Sequence, residues 1–155
     1  MAMKPDRHLA DTRIDYYMNE TASRGGAVTM STAGSGVALE SSLNLATYAA
    51  NPSGKVVLGL LVCDVVDKDL SKTHLNYYKE EVQKGQKVTV LQKGYVVTNM
   101  IYPGVSPLAG SGCYVSHSGL LTHIPNAVGA ATPLVGRFES SKDEEGYCKV
   151  FVNLP

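Results

Sequence analysis

Three residues, Cys113, His117 and His123, carry the donor types that zinc prefers, but their spacing matches no common site and no fourth ligand accompanies them. A packed thiol and surface histidines account for them better. A phosphate-binding loop needs GxxxxGK followed by Ser or Thr. The nearest approach, Ser53-Gly54-Lys55-Val56, has Ala49 where the first glycine belongs and Val56 where the magnesium ligand belongs. A serine nucleophile requires GxSxG on a strand-to-helix turn, and neither Gly34-Ser35-Gly36, Gly110-Ser111-Gly112 nor His117-Ser118-Gly119 meets that pattern, so all three read as turns. Acidic residues are scarce inside the strand-like stretches, so no carboxylate pair presents itself for acid–base work. Asp64, Asp67 and Asp69 are the first candidates for a hard cation, without the spacing of a known site. Tyr77 and Tyr78 stand beside Lys79 but also beside Glu80 and Glu81, which cancels the field that single-stranded nucleic acid would need. The chemistry-bearing residues therefore point away from catalysis, metal, cofactor and nucleic acid, and towards binding of other proteins.

The elements that would hold these residues are strands. Val56–Cys63 is a continuous apolar run, too short for a membrane helix and too apolar for an exposed strand, so 55–66 reads as a central strand with Gly59 as a bulge or close-approach point. Residues 27–31 and 37–40 read as short strands. Residues 43–50 read as a possible helical turn before a Pro52-Ser53-Gly54 turn. Residues 76–83 admit either a short helix ended by Gly85 or an extended excursion. Two hairpins are expected, over 88–100 with a Lys93-Gly94 turn and over 113–124 with a Ser118-Gly119 turn, because glycine at the second turn position supplies positive φ. Residues 134–139 and 147–154 close the chain as strands around an acidic turn at 140–146, with Cys148, Val150 and Val152 alternating against Tyr147, Lys149 and Phe151. Strands at this spacing, with glycine-bearing turns and no long helix, make an all-β single domain, a small barrel or sandwich.

Residues 1–24 read differently. Eight of them are charged and few are apolar, so the segment is expected as an extended arm ending at Gly25-Gly26, ahead of a barrel-like domain over 25–155. Ile14, Tyr16 and Met18 alternate with Asp15 and Tyr17, the period of a strand with one apolar edge. Arg13, Ile14, Tyr16, Tyr17, Met18 and Arg24 are the expected contacts to a partner, with the alternative that 14–18 is the domain's own first strand.

Composition sets outer bounds. The 155-residue chain is long enough for one well-buried core, and its 14 basic and 14 acidic residues cancel. A neutral chain with only 18% charged residues has no global field for nucleic acid or anionic membrane, and is poorly guarded against association. The start lacks the apolar stretch of a signal peptide, so a soluble protein made inside a cell is expected, with Cys63, Cys113 and Cys148 reduced and Asn19-Glu20-Thr21 not a glycosylation site.

In order along the chain stand Arg13-Ile14-Asp15-Tyr16-Tyr17-Met18-Asn19, Arg24-Gly25-Gly26-Ala27-Val28, the string from Gly34 to Glu40, Gly59 to Val66, Asn76 to Leu91, and Ser118-Gly119-Leu120-Leu121-Thr122. This order resembles the head decoration, or cement, proteins of tailed bacteriophages, above all those of short-tailed and cyanobacterial phages. The likeness covers most of 13–154 and rests on glycine, apolar and turn patterns. The resemblance implies a β-barrel or β-tulip-like domain on the outer surface of an assembled capsid. It also implies a major capsid protein as partner, self-association as a homotrimer at local threefold positions, and a virion location after synthesis in the host bacterial cytoplasm. Another phage β-domain, a head-fibre base or a tail component, is the alternative, and a small β-scaffold hydrolase or lyase ranks behind both.

Overall fold

In the computed structural model the described residues are 3–5, 11–31, 44–64 and 81–155. They form twelve strands and one three-residue 3-10 turn, His117–Gly119: β1 Met3–Pro5, β2 Asp11–Met18, β3 Ala22–Ser23, β4 Ala27–Ser31, β5 Leu45–Thr47, β6 Val57–Asp64, β7 Glu81–Val82, β8 Lys87–Thr98, β9 Gly112–Val115, β10 Leu121–Thr122, β11 Leu134–Phe138 and β12 Cys148–Asn153. The fold is all-β, as the strand spacing implies.

β8 organises the molecule because it is long enough to have two pairs of neighbours. Its first half pairs with β2 on one side and β6 on the other. Since β2 also pairs with β5, β5 with β4 and β4 with β6, these strands close into a ring around Met18, Val28, Ala46, Leu58, Leu61, Val88 and Val90. The second half of β8 pairs with β12 and β1. From β12 the sheet runs through β11 and β9 to β10, where Leu121 bridges back to Ile101 just beyond β8. The second core, Leu91, Val96, Cys113, Val115, Leu121, Val135, Phe138, Cys148, Val150 and Val152 among others, lies against this half.

β6 is the central strand expected from its composition, paired with β4 and β8, with Leu60 in one core and Leu58 and Leu61 in the other. Gly59 is both a bulge and a close approach: its φ is 152° and a Cβ there would stand 2.5 Å from the Leu91 carbonyl oxygen. The 113–124 hairpin forms around Ser118 (φ 54°) and Gly119 (φ 75°).

Other expectations are corrected. Lys93-Gly94 is no hairpin turn but the middle of β8; Gly94, at φ 145°, lets the strand pass from β6 to β12 as neighbour without reversing. Residues 45–47, read as part of a helical turn, form β5, held between β2 and β4. Of 76–83, which admitted a short helix or an extended excursion, the described residues 81–83 are extended, with Glu81–Val82 forming β7 paired with β3 ahead of a turn at Gly85. The strand expected at 37–40 lies outside the described residues. Residues 11–18, expected within an arm outside the domain with the alternative of a strand of the domain itself, follow the alternative: they are β2 of the main sheet, paired with β8 at 11–13 and 16–17, and Met18 is wholly enclosed. The expected alternation of Ile14, Tyr16 and Met18 against Asp15 and Tyr17 is not seen: burial rises along the strand, from exposed Ile14 and Asp15 through half-buried Tyr16 and Tyr17 to buried Met18.

Candidate docking surface

The residues with chemical potential are dispersed. Cys113 is buried in the second core, where desolvation and then the neighbouring Cys148 push its thiol pKa well above the ordinary range. Desolvation likewise raises Cys148. Such thiols stay protonated and are poor ligands and nucleophiles. All three cysteines are free, with Cys63 half-buried. His117 is exposed, its Nδ1 lying 2.6 Å from the Ala50 carbonyl oxygen, so Cys113 and His117 occupy different environments. Among the described residues no group of three or more His, Cys, Asp or Glu gathers. Ser53-Gly54-Lys55 is a turn closed by the Lys55 N–H on the Pro52 carbonyl at 3.0 Å.

The most elaborate polar network is a joint. The Tyr48 hydroxyl bonds Ser23 and Gly26, while Glu20 Oε1 accepts from the Thr47 hydroxyl at 2.5 Å and the Tyr48 N–H at 2.7 Å. Its ring lies where a Cβ on Gly26 or Gly119 would be, and Ser118 N–H reaches the Ala49 carbonyl at 2.9 Å. The hairpin of the second half is thereby clamped to the first ring. Thr98 adds a buried hydroxyl bond to the Gly25 carbonyl at 2.9 Å. Every one of these groups is spent on the fold.

The expected partner residues fall on both sides of β2. Arg13 is exposed, its Nε donating to Gln92 Oε1 at 3.3 Å, and Ile14 is 48% exposed. Tyr16 and Tyr17 are half-buried, Tyr16 against the first core. Met18 is core, and Arg24 is half-buried beside the Gly25-Gly26 approach. Of the six, Arg13 and Ile14 are the two on open surface; the strand's inward turn removes Met18.

A larger surface lies on the outward face of β8, β12, β11 and β9. Register sets Tyr95 opposite Phe151, and Phe151 opposite Arg137. The Tyr95 and Phe151 rings lie 4.8 Å apart at 37°, with Lys149 Nζ 4.9 Å above Tyr95. Arg137 Nε donates to Glu139 Oε1 at 2.6 Å, and that hydrogen bond, then the carboxylate's charge, raises the guanidinium pKa. Leu134, 56% exposed, stands opposite Tyr114. Leu134, Gly136, Arg137, Phe151 and Asn153 line an open notch of about 310 Å³. Gly136 admits no side chain, because a Cβ there would collide with the Phe151 carbonyl of the paired strand. Sequence reasoning missed this face. The alternation over 147–154 put Phe151 and Lys149 on one side, but only the pairing of β12 with β8 and β11 brings Tyr95 and Arg137 to them.

No family model matches the chain and no curated protein does. Among the described residues no helix is long and apolar enough to cross a membrane.

Proposed function

We propose that this protein is a structural, non-enzymatic component of a virus particle, a decoration protein that binds the outside of an assembled phage head and stabilises it by bridging neighbouring capsid subunits. The observation that carries this reading is the outward face of β8, β12, β11 and β9. There a tightly packed domain places Leu134, Phe151 and Tyr95 on its surface among Arg137, Lys149 and Lys93. Apolar and aromatic groups framed by cations on a rigid sheet suit protein docking. The resemblance of the glycine and turn pattern from 13 to 154 to cement proteins supplies the particle and the homotrimer. A ligand that binds only the mature lattice stabilises it by its binding free energy, multiplied over many copies.

The test is direct. Purified particles should carry the chain in stoichiometric, externally accessible copies, and added protein should bind expanded heads saturably but unexpanded ones weakly. A few copies per particle would favour a head-fibre base or tail component, and absence from particles would overturn the reading.

A further inference from the structure

One edge of β8 is covered by the start of the chain. Along residues 96–98, β12 takes one side, and β1 takes the other, with Met3 opposite Thr98, Lys4 opposite Val97 and Pro5 opposite Val96. Past Lys93, where Asp11 of β2 pairs, β1 is the one strand on that side among the described residues. The stretch it adjoins is Tyr95-Val96-Val97-Thr98, aromatic, β-branched and uncharged. An open edge of that composition recruits strands from other chains.

β1 has the opposite character. Two of its three residues are Lys4 and Pro5, the types that sheets place at edges to stop further pairing, and Pro5 has no N–H to offer a ladder. Its link to β2 is long for the distance it covers. Residues 6–10 separate Pro5 from Asp11, whereas their partners Val96 and Lys93 enclose only Gly94 and Tyr95. Fully extended, that link reaches about 20 Å, while three steps along β8 cover about 10 Å. The surplus lets β1 leave β8 while β2 stays paired. β1 also precedes β8 in the chain, so the cover is made before the edge.

We infer that β1 is an autoinhibitory cover, and that the edge it hides at 96–98 pairs with the same edge of a second copy once β1 is displaced. Symmetry singles out the second copy. Antiparallel pairing about a twofold axis at Val97 sets Val97 against Val97 and Val96 against Thr98, which keeps the buried and outward sides of both strands in register. No like charges meet, since 94–98 carries none. The contact uses the backbone edge of β8 on its β1 side rather than the outward side chains of β8, β12, β11 and β9, so it stands apart from the capsid reading.

Free, full-length protein tests it, and capsid binding has no bearing on the outcome. The double substitution Met3→Pro/Lys4→Pro strips β1 of every backbone N–H. Its circular dichroism spectrum should match that of the native chain, while self-association seen by sedimentation should strengthen at least about tenfold. In a Cys63→Ser background, adding Val97→Cys to the double substitution should give a disulfide-linked pair under mild oxidation, because the twofold sets that position beside its own copy. With native β1 the yield should be at least about tenfold lower. Val97→Glu lies opposite Lys149 within the chain but opposite itself in the pair, and should return the doubly substituted protein to native association. Loss of the native spectrum would make β1 part of the core and overturn the inference. So would unchanged association, a gain without the Val97→Cys crosslink, or a gain that Val97→Glu leaves in place.

Discussion

The Tyr48 hydroxyl donates to the Ser23 carbonyl oxygen at 2.6 Å and accepts the Gly26 N–H at 3.1 Å. Burial raises the phenol's pKa, partly opposed by the Gly26 hydrogen bond and reinforced by the Glu20 carboxylate. The folded state therefore holds this proton more tightly than the unfolded chain does. Stability from this source is complete below the unfolded value of about 10 and declines as pH rises past it. Cys113, shifted in the same direction, begins to act from about pH 8.5. Alkaline titration should show one tyrosine that yields no phenolate absorbance until the fold is lost. Tyr48→Phe leaves the Gly26 N–H and Ser23 carbonyl without that partner and should cost about 1–3 kcal/mol in denaturant unfolding.

Two glycines separate backbone strain from collision. Gly119 and Gly129 have nearly the same φ, 75° and 76°, but a Cβ on Gly119 meets the Tyr48 ring at 2.4 Å whereas one on Gly129 meets nothing within 4 Å. Gly129→Ala should cost about 1–2 kcal/mol, the left-handed backbone penalty alone. Gly119→Ala should cost more, and Tyr48→Ala should relieve part of the excess, as a double-mutant cycle of thermal or urea unfolding would measure.

Removal of residues 1–20 should unfold the protein rather than merely detach it from a partner. The cut takes β2 away from β8 and β5, and Met18 out of the first core. Met18→Ala alone should cost about 2–5 kcal/mol, since the surrounding ring of strands cannot collapse into the space. A soluble truncation with the full-length circular dichroism spectrum would contradict the placement of β2.

Thiol chemistry should follow burial. Cys63 is half-buried and Cys113 and Cys148 are buried, so alkylation of the native protein should label Cys63 first and the other two at the rate of unfolding. Mass spectrometry after timed quenching reads the order. Equal labelling of all three would be incompatible with the second core.

What could be read in advance was whatever depends on local pattern. The apolar run at 56–63 called for a central strand, and Val57–Asp64 became β6 between β4 and β8, with Leu58, Leu60 and Leu61 buried but Val56, just before it, 66% exposed. Cys148, Val150 and Val152 alternated, and all three are buried. Ser118-Gly119 had turn chemistry and made a turn. Lys93-Gly94 had the same chemistry and did not, because both sides of that glycine find partners along β8 and pairing overrode the local signal. Residues 45–47 carried no β-branched signature until Thr47, yet two neighbouring strands hold them extended. The candidate surface was the least legible feature. Phe151, Tyr95 and Arg137 are far apart in sequence, and register across three strands, not composition, makes them neighbours.

The shared strand also constrains how the chain acquires its shape during synthesis. β2, β4, β5 and β6 all precede β8, so the first ring has no closing wall until the first half of β8, through Lys93, has left the ribosome. The other half waits longer, because β11 and β8 are joined through β12 at 148–153. For most of translation the growing polypeptide therefore carries finished strand sequences whose lateral partners do not yet exist. Such delayed, long-range pairing slows maturation and leaves sticky intermediates open to one another. A cell making many copies at once meets that hazard at its greatest, and holding nascent chains apart until β12 emerges becomes as much a requirement of this topology as the packing of its cores.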